Sequence, residues 1–576
     1  MRQTRINLLG LFALMAWLLP VSSAPASPHP QAAEMSRPVA LPAAKEDLVG
    51  ELSDEPKEVE EVVLSNDGMR FAAKIKRGKQ WVLVVDGKEG SAFESIEEIR
   101  FSFPSAQHVV YAVKRGGKWR EMIDEKELGP QFDALVPDPS RYPHPTAGPP
   151  WTPAPYGPGS AGALLNGVDA MSMLFTMYST RLGQNVAPTS TDAAKAMQRS
   201  SWFWQGDTLQ RHAYGIRRGK TSLMMIDSKE GPDFEEVGGP AFSPDGRRLG
   251  YAARRQKLWR MVVDGVEGPG FQEVAAPAFR PDGHRLVYAG KSEKQWAMVE
   301  GADSGPKFME ISPPYFSPDG KRLAYWAKRQ TKKGTSGSEV YVISELIVAD
   351  GKEGPEFDSA GPPVFSPDGL HLAYWAKGKK KERVLIVDGQ PKFEFNELLA
   401  GPEFSPDSQH IAYVNWANGG FVGTLDGKSV AETKALGYHA LSLGKYFAEQ
   451  ITFSPDSQRL AYVAVSGGEN YSEGATKRAK RRVVVDGHED NLYDTYGLGD
   501  LTFSPDSRHV AYVVHGGLKK DKSAVVIDGW ESAPYDSVLA GVFRRNVGAD
   551  GGPSSVEFVY IAREGRKFFR VTQPLP

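Results

Sequence analysis

Short apolar runs that alternate with turn residues recur along most of the chain. The clearest copy is the turn sequence Phe316-Ser317-Pro318-Asp319-Gly320, which a polar pair separates from the apolar run Leu323-Ala324-Tyr325. Pro presets the second position of a turn, and Asp and Gly accept the backbone angles that close it. The pattern therefore predicts two short strands joined by a tight turn. Near copies, 37 to 50 residues apart, begin at Phe242, Phe279, Phe365, Phe404, Phe453 and Phe503.

A second motif lies between these copies: an apolar strand that ends in Asp-Gly. Asp-Gly after β-branched residues is a strong signal for a β-hairpin. Each unit therefore predicts four strands. Strand a leads into the Ser-Pro-Asp-Gly turn, strand b ends shortly after Tyr, strand c ends in Asp-Gly, and strand d follows. The clear copies of the second motif are at residues 262–265, 348–351, 386–389, 484–487 and 526–529.

Four-stranded units of about 40 residues are typical of β-propeller blades, so the predicted fold is all-β. We count about eleven units between residues 61 and 576, two or three of them degenerate. Because one ring usually has about four to eight blades, this count predicts two rings, residues 61–311 and 312–576, divided near Ser312. The last unit, residues 542–571, lacks a strand d. We therefore expect a strand from the N-terminal region to close a ring.

The core Phe-Ser-Pro-Asp-Gly-x-x-Leu-Ala-Tyr resembles the WD40-like repeat of the periplasmic protein TolB and of the propellers of prolyl-oligopeptidase-type peptidases. The resemblance covers most of residues 61–571 and implies a propeller. TolB-like resemblance also implies a scaffold role in the cell envelope. The Gly-His and Trp-Asp pairs of true WD40 units are absent, and the segment before the repeats is too short for the α/β domain that precedes the propeller in TolB.

The N-terminal region has the features of a secretory signal. Arg2 and Arg5 precede an apolar stretch at residues 8–19, and Ala24-Pro25-Ala26 offers a small-x-small cleavage site. We expect a signal peptide at residues 1–26, with an uncleaved anchor as the alternative, and no transmembrane segment after cleavage. The chain contains no cysteine. Disulfides and thiolate metal sites are therefore excluded, which favours a bacterial periplasmic or secreted protein over one from a eukaryotic secretory route.

Two segments interrupt or precede the repeats. Residues 27–60 are rich in Pro, Ala and acidic residues and are predicted to be a linker. An insertion at residues 137–200 begins with nine prolines within residues 137–158, which cannot occupy central strands. Its later part, residues 164–182, is Met-rich and predicts a short helix. That helix is either a plug packed on the propeller or an adaptable docking segment.

Charge divides between the two sides of a blade, although the formal net charge is only -2. Strand order places the a–b and c–d turns on one side, where acidic residues concentrate. The b–c loops lie on the other side and are basic, and several run directly into an aromatic residue. We expect this basic side, or alternatively the central channel of the propeller, to bind a protein or an anionic polysaccharide or lipid of the cell envelope, and no nucleic acid. The candidate binding residues are Lys79, Trp81, Lys118, Trp119, Arg255, Trp259, Lys294, Trp296, Lys332, Lys379, Arg481 and Lys520.

A purely structural interpretation of these residues remains open. Lys and Gly in hairpin loops protect strand edges and keep a protein soluble, and a Trp can cap strand c. The Asp residues of the repeated turns are explained by turn closure, so no metal site, cofactor or catalytic residue is assigned. No Gly-x-Ser-x-Gly or His-Glu-x-x-His motif is present.

Two further functions remain possible from the sequence. A propeller glycosidase or polysaccharide lyase would need residues that break the repeat near a channel mouth, and His212, Tyr438 and His439 are the candidates. A self-associating structural protein of the envelope is the other possibility.

Overall fold

Eleven antiparallel sheets follow one another along the chain, and each is one blade of a β-propeller in this computed structural model. The structure describes residues 41–52, 59–64, 70–101, 107–128, 131, 134–135, 200–205, 208–275, 277–333, 340–378, 382–417, 420–434, 446–466, 479–495, 497–516, 522–546 and 555–576. These residues form strands and turns and no helix. No helix in the described part of the chain is long and apolar enough to cross a membrane.

The strands, numbered in chain order, are grouped here by blade. Strand β1 is Lys45–Glu51. Blade 1 contains β2–β5: Val59–Leu64, Phe71–Arg77, Gln80–Val85 and Lys88–Phe93. Blade 2 contains β6–β9: Ser95–Phe101, Val109–Arg115, Lys118–Ile123 and Lys126–Glu127. Blade 3 contains β10–β14: Ala134–Leu135, Ser200–Gln205, Thr208–Arg218, Thr221–Ile226 and Lys229–Phe234. Blade 4 contains β15–β19: Glu236–Val237, Ala241–Phe242, Leu249–Arg255, Leu258–Val263 and Val266–Phe271.

The middle blades follow the same order. Blade 5 contains β20–β24: Glu273–Val274, Ala278–Phe279, Leu286–Ser292, Gln295–Glu300 and Asp303–Ser304. Blade 6 contains β25–β29: Glu310–Ile311, Tyr315–Phe316, Leu323–Lys333, Val340–Ala349 and Lys352–Glu353. Blade 7 contains β30–β34: Ser359–Ala360, Val364–Phe365, Leu372–Lys377, Arg383–Val387 and Gln390–Glu394. Blade 8 contains β35–β38: Glu397–Phe404, Ile411–Ala417, Gly420–Leu425 and Lys428–Lys434.

Three blades complete the propeller. Blade 9 contains β39–β43: Tyr446–Phe453, Leu460–Ser466, Ala479–Val485, His488–Glu489 and Tyr493–Thr495. Blade 10 contains β44–β47: Gly497–Phe503, Val510–His515, Ala524–Ile527 and Trp530–Glu531. Blade 11 contains β48–β50: Ser537–Asn546, Ser555–Glu564 and Lys567–Pro574.

The Ser-Pro-Asp-Gly turn is held by hydrogen bonds of its own side chains. In blade 6, the Ser317 hydroxyl donates to Asp319 Oδ1 at 2.6 Å and accepts the backbone N–H of Arg322 at 2.9 Å. Asp319 Oδ1 also accepts the N–H of Lys321 at 3.1 Å. Gly320 has a φ of +72°, in the left-handed region that Gly enters without steric cost. The sequence motif therefore specifies the turn that joins strands a and b.

The hydrophobic core lies between neighbouring blades. In seven interfaces, an aromatic residue on or beside strand d of one blade packs near the strand b Tyr of the next. Phe308 and Tyr325 are typical, with ring centroids 6.4 Å apart and an interplanar angle of 76°. Edge-to-face packing of this kind adds to the burial of apolar area. The other pairs are Phe234–Tyr251, Phe271–Tyr288, Phe357–Tyr374, Phe395–Tyr413, Tyr493–Tyr512 and Tyr535–Tyr560.

An N-terminal strand completes the last blade, as predicted. β1 pairs with β50 along Lys45–Glu51 and takes the place of strand d in blade 11. Blade 11 then packs on blade 1 through a buried cluster that includes Phe71 and Phe568, whose ring centroids are 5.0 Å apart. Residues 45–51 are therefore a strand, and the prediction that all of residues 27–60 form a linker is wrong for this part.

Blades 5 and 6 pack on each other as the other neighbours do. Trp296 and Met298 of blade 5 share a buried cluster with Tyr325 and Leu346 of blade 6. Residues Pro38–Pro576 form one compact unit. The predicted separation into two rings near Ser312 is therefore not observed in the described residues. The Met-rich segment at residues 164–182 lies outside them.

Candidate binding face

Alternation of the strands gives each blade two ends. We call the end with the a–b and c–d turns the turn face, and the end with the b–c loops and d–a connections the loop face. The loop face is the predicted binding side. Which charged side chains of this face can bind a ligand depends on which of them already form ion pairs within the blades.

In nine blades, an Asp at the c–d turn connects this turn to strand b of the same blade. In blade 6, Asp350 Oδ1 accepts the backbone N–H of Leu323 at 2.9 Å, and its Oδ2 accepts Arg322 Nε at 3.0 Å. The equivalent carboxylates accept, at 2.8 to 3.0 Å, the N–H of the first strand b residue or, in blade 3, of His212 within the longer strand b. These are Asp86, Asp124, Asp227, Asp264, Asp388, Asp426, Asp486 and Asp528. The repeated Asp is thus a structural residue.

The predicted acidic character of the turn face is reduced by pairing within blades 1, 4, 6 and 9. Nine acidic residues at or just after the c–d turns of these four blades each have a partner. Asp490 Oδ2 accepts the Tyr512 hydroxyl at 2.8 Å. The other eight pair with arginines: Asp86–Arg70, Glu89–Arg77, Asp264–Arg248, Glu267–Arg255, Asp350–Arg322, Glu353–Arg329, Asp486–Arg459 and Glu489–Arg482. Three of these arginines, Arg77, Arg255 and Arg329, come from strands b that run to the loop face. The expected dipole between the faces is therefore weaker than residue counting suggests.

The aromatic residues that follow the basic loops belong to strand c and face strand b. Trp81 lies opposite Lys76, whose ammonium is 4.8 Å from the ring centroid. Trp296 lies opposite Lys291 at 5.3 Å and is only 1% exposed. The remaining pairs are Lys114 with Trp119 and Arg254 with Trp259. The basic-aromatic pattern therefore reflects a cross-strand pair, in which a cation stands over a ring.

Three candidate binding residues are buried. Trp259 is 7% exposed, Trp296 is 1% exposed, and Arg481 is 5% exposed. Arg481 Nη1 donates to the carbonyl of Thr495 at 2.6 Å, within blade 9. The repeat pattern does not indicate which side chains are exposed to solvent, so it cannot separate these three residues from surface residues. Their side chains cannot contribute to a surface contact as the blades stand.

The other candidates divide by exposure. Lys79, Lys118, Arg255, Lys294 and Lys332 are exposed, whereas Trp81 and Trp119 are half-buried. Arg255 is held by Glu267 at 3.2 Å. Lys379 and Lys520 lie outside the described residues.

One lysine position recurs at the tips of the b–c turns. Lys79, Lys220, Lys257 and Lys294 each occupy the second residue of the two-residue turn in blades 1, 3, 4 and 5. All four side chains are exposed. Among the described residues, no carboxylate lies within salt-bridge distance of these ammonium groups. We call these four residues the tip lysines. The sequence-based candidates did not include Lys220, because no aromatic residue follows it, or Lys257, because Arg255 was the cation chosen from the same loop.

Two arginines next to the b–c turns, unlike the tip lysines, form salt bridges with carboxylates. Arg77 pairs with Glu89 at 2.6 Å and Arg218 with Glu230 at 2.6 Å. These two arginines are therefore less available to a ligand than the tip lysines.

The candidate catalytic residues His212, Tyr438 and His439 are not seen together in a site within the described residues. His212 is buried, its Nε2 lies 3.3 Å from the Ser228 hydroxyl, and burial lowers the pKa of its imidazole. Tyr438 and His439 lie outside the described residues. Within the described part of the chain, no group of three His, Asp or Glu side chains could hold a metal ion.

One buried acid was not expected from the sequence. Glu345 occupies the strand c position that holds Trp296 in blade 5, and burial raises the pKa of its carboxyl group. It accepts Trp326 Nε1 at 3.2 Å and the N–H of Ala360, in the next blade, at 2.9 Å. Glu345 therefore connects blades 6 and 7.

Comparison with known proteins assigns this chain to no family. No family model and no curated protein matches the chain. Similar solved structures include a eukaryotic initiation factor, at 11% identity over 64% of this chain and 98% of that chain, with a TM-score of 0.31. The β-propeller domain of the Trilobed protease from Pyrococcus furiosus has 13% identity over 51% and 97%, with a TM-score of 0.23. The tricorn protease has 13% identity over 89% and 58%, with a TM-score of 0.24. Likeness this low carries no argument about activity.

Proposed function

We propose that this protein is an exported, non-catalytic β-propeller scaffold that binds an anionic polymer of the cell envelope through its loop face. The observation that carries the proposal is the set of tip lysines. The same turn position carries an exposed lysine in blades 1, 3, 4 and 5, and among the described residues none of these four ammonium groups forms a salt bridge. The signal-like sequence at residues 1–26 supports export.

A polymer suits this arrangement because its charges repeat, as the blades do. One exposed contact between a lysine and an anion contributes little, about 0.2–1 kcal/mol. Several such contacts along one chain add up, since each later contact forms within the same complex. With a formal net charge of only -2, attraction depends on local charge. Salt screens local charge over about 8 Å at physiological ionic strength, so binding should weaken strongly as salt rises.

Replacing the four tip lysines with glutamine tests the proposal. We expect the affinity for polygalacturonate at low salt to fall by about tenfold or more, because four contacts of about 0.4 kcal/mol are lost. Isothermal titration calorimetry at low and high salt measures the change. The matched control replaces Lys88, Lys126, Lys229 and Lys352 with glutamine. These four lysines are also exposed but lie at c–d turns on the turn face.

The two sets remove the same charge, so only position differs between them. Equal loss of affinity in both sets would show that net charge alone drives binding and would overturn the assignment to the loop face. If the unmodified protein shows no salt-sensitive binding of polygalacturonate, the proposal that the ligand is an anionic polymer is overturned.

A further inference from the structure

Nineteen residues other than glycine have a left-handed backbone in the described part of the chain, with φ between +44° and +69°. The Cβ atom makes this conformation costly, whereas glycine adopts it without steric cost. A side chain that is kept at such a position therefore indicates a role, and its contacts show which one.

Sixteen of these side chains contact the protein itself. Nine belong to the Asp residues of the c–d turns, which bind strand b. Glu293 pairs with Lys307 at 3.4 Å. Glu125 packs on blade 1, where a Cβ on Gly90 would lie 3.0 Å from its Oε1. The other five form side-chain hydrogen bonds: Ser228, Ser408, Gln450, Ser457 and Ser507.

The three that remain all lie at b–c turns of the loop face. They are Gln256 and Lys257 in blade 4 and Lys294 in blade 5. All three side chains are exposed, and within the described ranges none of them forms a hydrogen bond or an ion pair. Nothing inside the protein therefore accounts for a side chain at these three left-handed positions.

Other blades show that the b–c turn closes without left-handed side chains. In blades 1 and 3 the first turn residue is a left-handed glycine, Gly78 or Gly219, and the lysine that follows is not left-handed. In blade 2 both turn residues are glycines, with φ of +59° and +73°. Two-residue hairpin turns favour glycine at such positions. Blades 4 and 5 therefore retain side chains that the turn itself does not require.

The backbone beneath the two left-handed lysines is held in place. Glu235 Oε1 accepts the N–H of Lys257, and Gln272 Oε1 accepts that of Lys294, both at 3.4 Å. The charge of Glu235 is engaged by Arg254 at 3.3 Å. A fixed backbone loses less conformational freedom when a ligand binds. These turns therefore present two available charges from preorganised positions.

We infer that Gln256, Lys257 and Lys294 form the primary contact for an acidic polysaccharide, which rests on the function proposed above. The two lysines attract carboxylates of the polysaccharide. The amide of Gln256 both donates and accepts hydrogen bonds, which suits the hydroxyl groups of a sugar better than the oxygens of a polyphosphate, which only accept. Lys79 and Lys220 are secondary contacts.

Two matched variants of the full protein test which lysines form the primary contact. Lys257→Gln with Lys294→Gln should lower the affinity for polygalacturonate at low salt by about fivefold or more, whereas Lys79→Gln with Lys220→Gln should lower it by about twofold or less. Both variants remove two charges from the same turn position, and isothermal titration calorimetry measures both. Equal losses would overturn this inference and leave the proposed function standing. If the unmodified protein shows no salt-sensitive binding, both are overturned.

Glycine variants test whether the two lysines are retained despite a cost in stability. Lys257→Gly with Lys294→Gly should raise the melting temperature, because glycine relieves the left-handed backbone, and should weaken binding as the glutamine variant does. Lys79→Gly with Lys220→Gly should not raise it, because those backbones are not left-handed. A lower melting temperature for Lys257→Gly with Lys294→Gly would contradict the strain from which the inference is drawn.

Gln256→Ala tests the class of ligand. This substitution keeps the Cβ and removes only the amide, so it should weaken binding of polygalacturonate more than binding of polyphosphate. Equal weakening for the two polymers, or none for either, would overturn the assignment to a polysaccharide.

Discussion

An arginine before or near the start of strand b connects several blades to the next. Arg322 shows the full set of contacts: besides its pairing with Asp350, its Nη1 donates to the carbonyl of Leu370 at 2.6 Å, in blade 7. Its guanidinium also lies 5.1 Å from the ring centroid of Phe365. Four blades carry histidine at this position instead: His108, His371, His410 and His509. An imidazole has no third nitrogen with which to reach the next turn.

Serine at the last position of the turn adds a hydrogen bond between blades, at two interfaces where histidine precedes strand b and at a third where Arg459 does, since Ser507 Oγ accepts the N–H of Asp456 at 3.0 Å. Where His371 and His410 replace arginine, the following turn reads Ser-Pro-Asp-Ser. Ser408 Oγ accepts the N–H of Asp368 at 2.9 Å, and Ser457 Oγ accepts that of Asp407 at 3.0 Å. Each bond crosses from one blade to the next. The Gly or Ser choice in the turn motif therefore has a structural consequence that a single repeat does not show.

The pair that His509 forms with Asp528 inside blade 10 makes stability depend on pH. Burial lowers the pKa of His509, but the hydrogen bond and charge of Asp528, at 2.7 Å, raise it, and the net pKa lies above its usual value. The stabilising effect of this pair is therefore complete below a pH of about 6.5 and is lost as pH rises through the folded-state pKa. His509→Arg stays charged, so its free energy of unfolding should fall less between about pH 6 and pH 9.

Denaturant unfolding across this pH range measures the difference in slope. The control is His488→Arg, which replaces an exposed histidine at a c–d turn and should leave the slope unchanged. Parallel pH profiles for the unmodified protein and His509→Arg would contradict the prediction.

Blade 5 departs from both repeat motifs, and the two changed residues pair with each other. Arg280 replaces the usual Ser of the turn, and Glu300 replaces the Asp at the c–d position. Arg280 binds both carboxylate oxygens of Glu300, at 2.6 and 2.9 Å. Its Nη1 donates to the carbonyl of Gly320 in blade 6 at 2.8 Å. Arg280 thus makes the contacts that the cation before strand b makes elsewhere, while Arg285, at that usual position, remains mostly exposed.

Restoring the repeat sequence of blade 5 tests this compensation. Arg280→Ser alone should lower the free energy of unfolding by about 2–3 kcal/mol, because Glu300 loses its bidentate partner in a mostly buried site. Adding Glu300→Asp should recover more than half of the loss, since Arg285 can then pair as Arg248 pairs with Asp264. A double-mutant cycle by urea denaturation gives the coupling energy. Further destabilisation by the second substitution would disprove the compensation.

Closure of the propeller depends on a strand that is distant in sequence from the blade it completes. Lys45-Glu46 of β1 matches Lys88-Glu89 and Lys352-Glu353, which begin strand d in blades 1 and 6. Glu46 accepts the Tyr535 hydroxyl, as Glu531 accepts that of Tyr493. β1 therefore carries the chemistry of an ordinary strand d. This match of Lys-Glu pairs was the sequence signal that could have placed the strand.

Gly50 lies where β1 meets blade 1, and it tests the closure. A Cβ on Gly50 would stand 2.0 Å from the Cα of Gly87, in the c–d turn of blade 1. Gly50→Ala must move one backbone against the other and should cost about 1–3 kcal/mol, seen as a lower melting temperature. Leu48→Ala is the control on the same strand, because Leu48 is 54% exposed and should cost less than about 0.5 kcal/mol. Equal melting temperatures for the two variants would show that the contact is not needed.

The sequence by itself determined the unit of this protein. Turn residues act locally, so Ser-Pro-Asp-Gly and Asp-Gly specified the strands of one blade, as blade 6 shows. The number of times these motifs recur indicated the number of blades. Only the tertiary structure decided which charged and aromatic residues remain available. Trp296 is buried where blade 6 packs against it, Arg481 is buried and bonded to Thr495 within blade 9, and Glu89 is neutralised by an arginine twelve residues away. A repeat motif describes one blade, whereas burial, pairing and closure arise between blades or across strands.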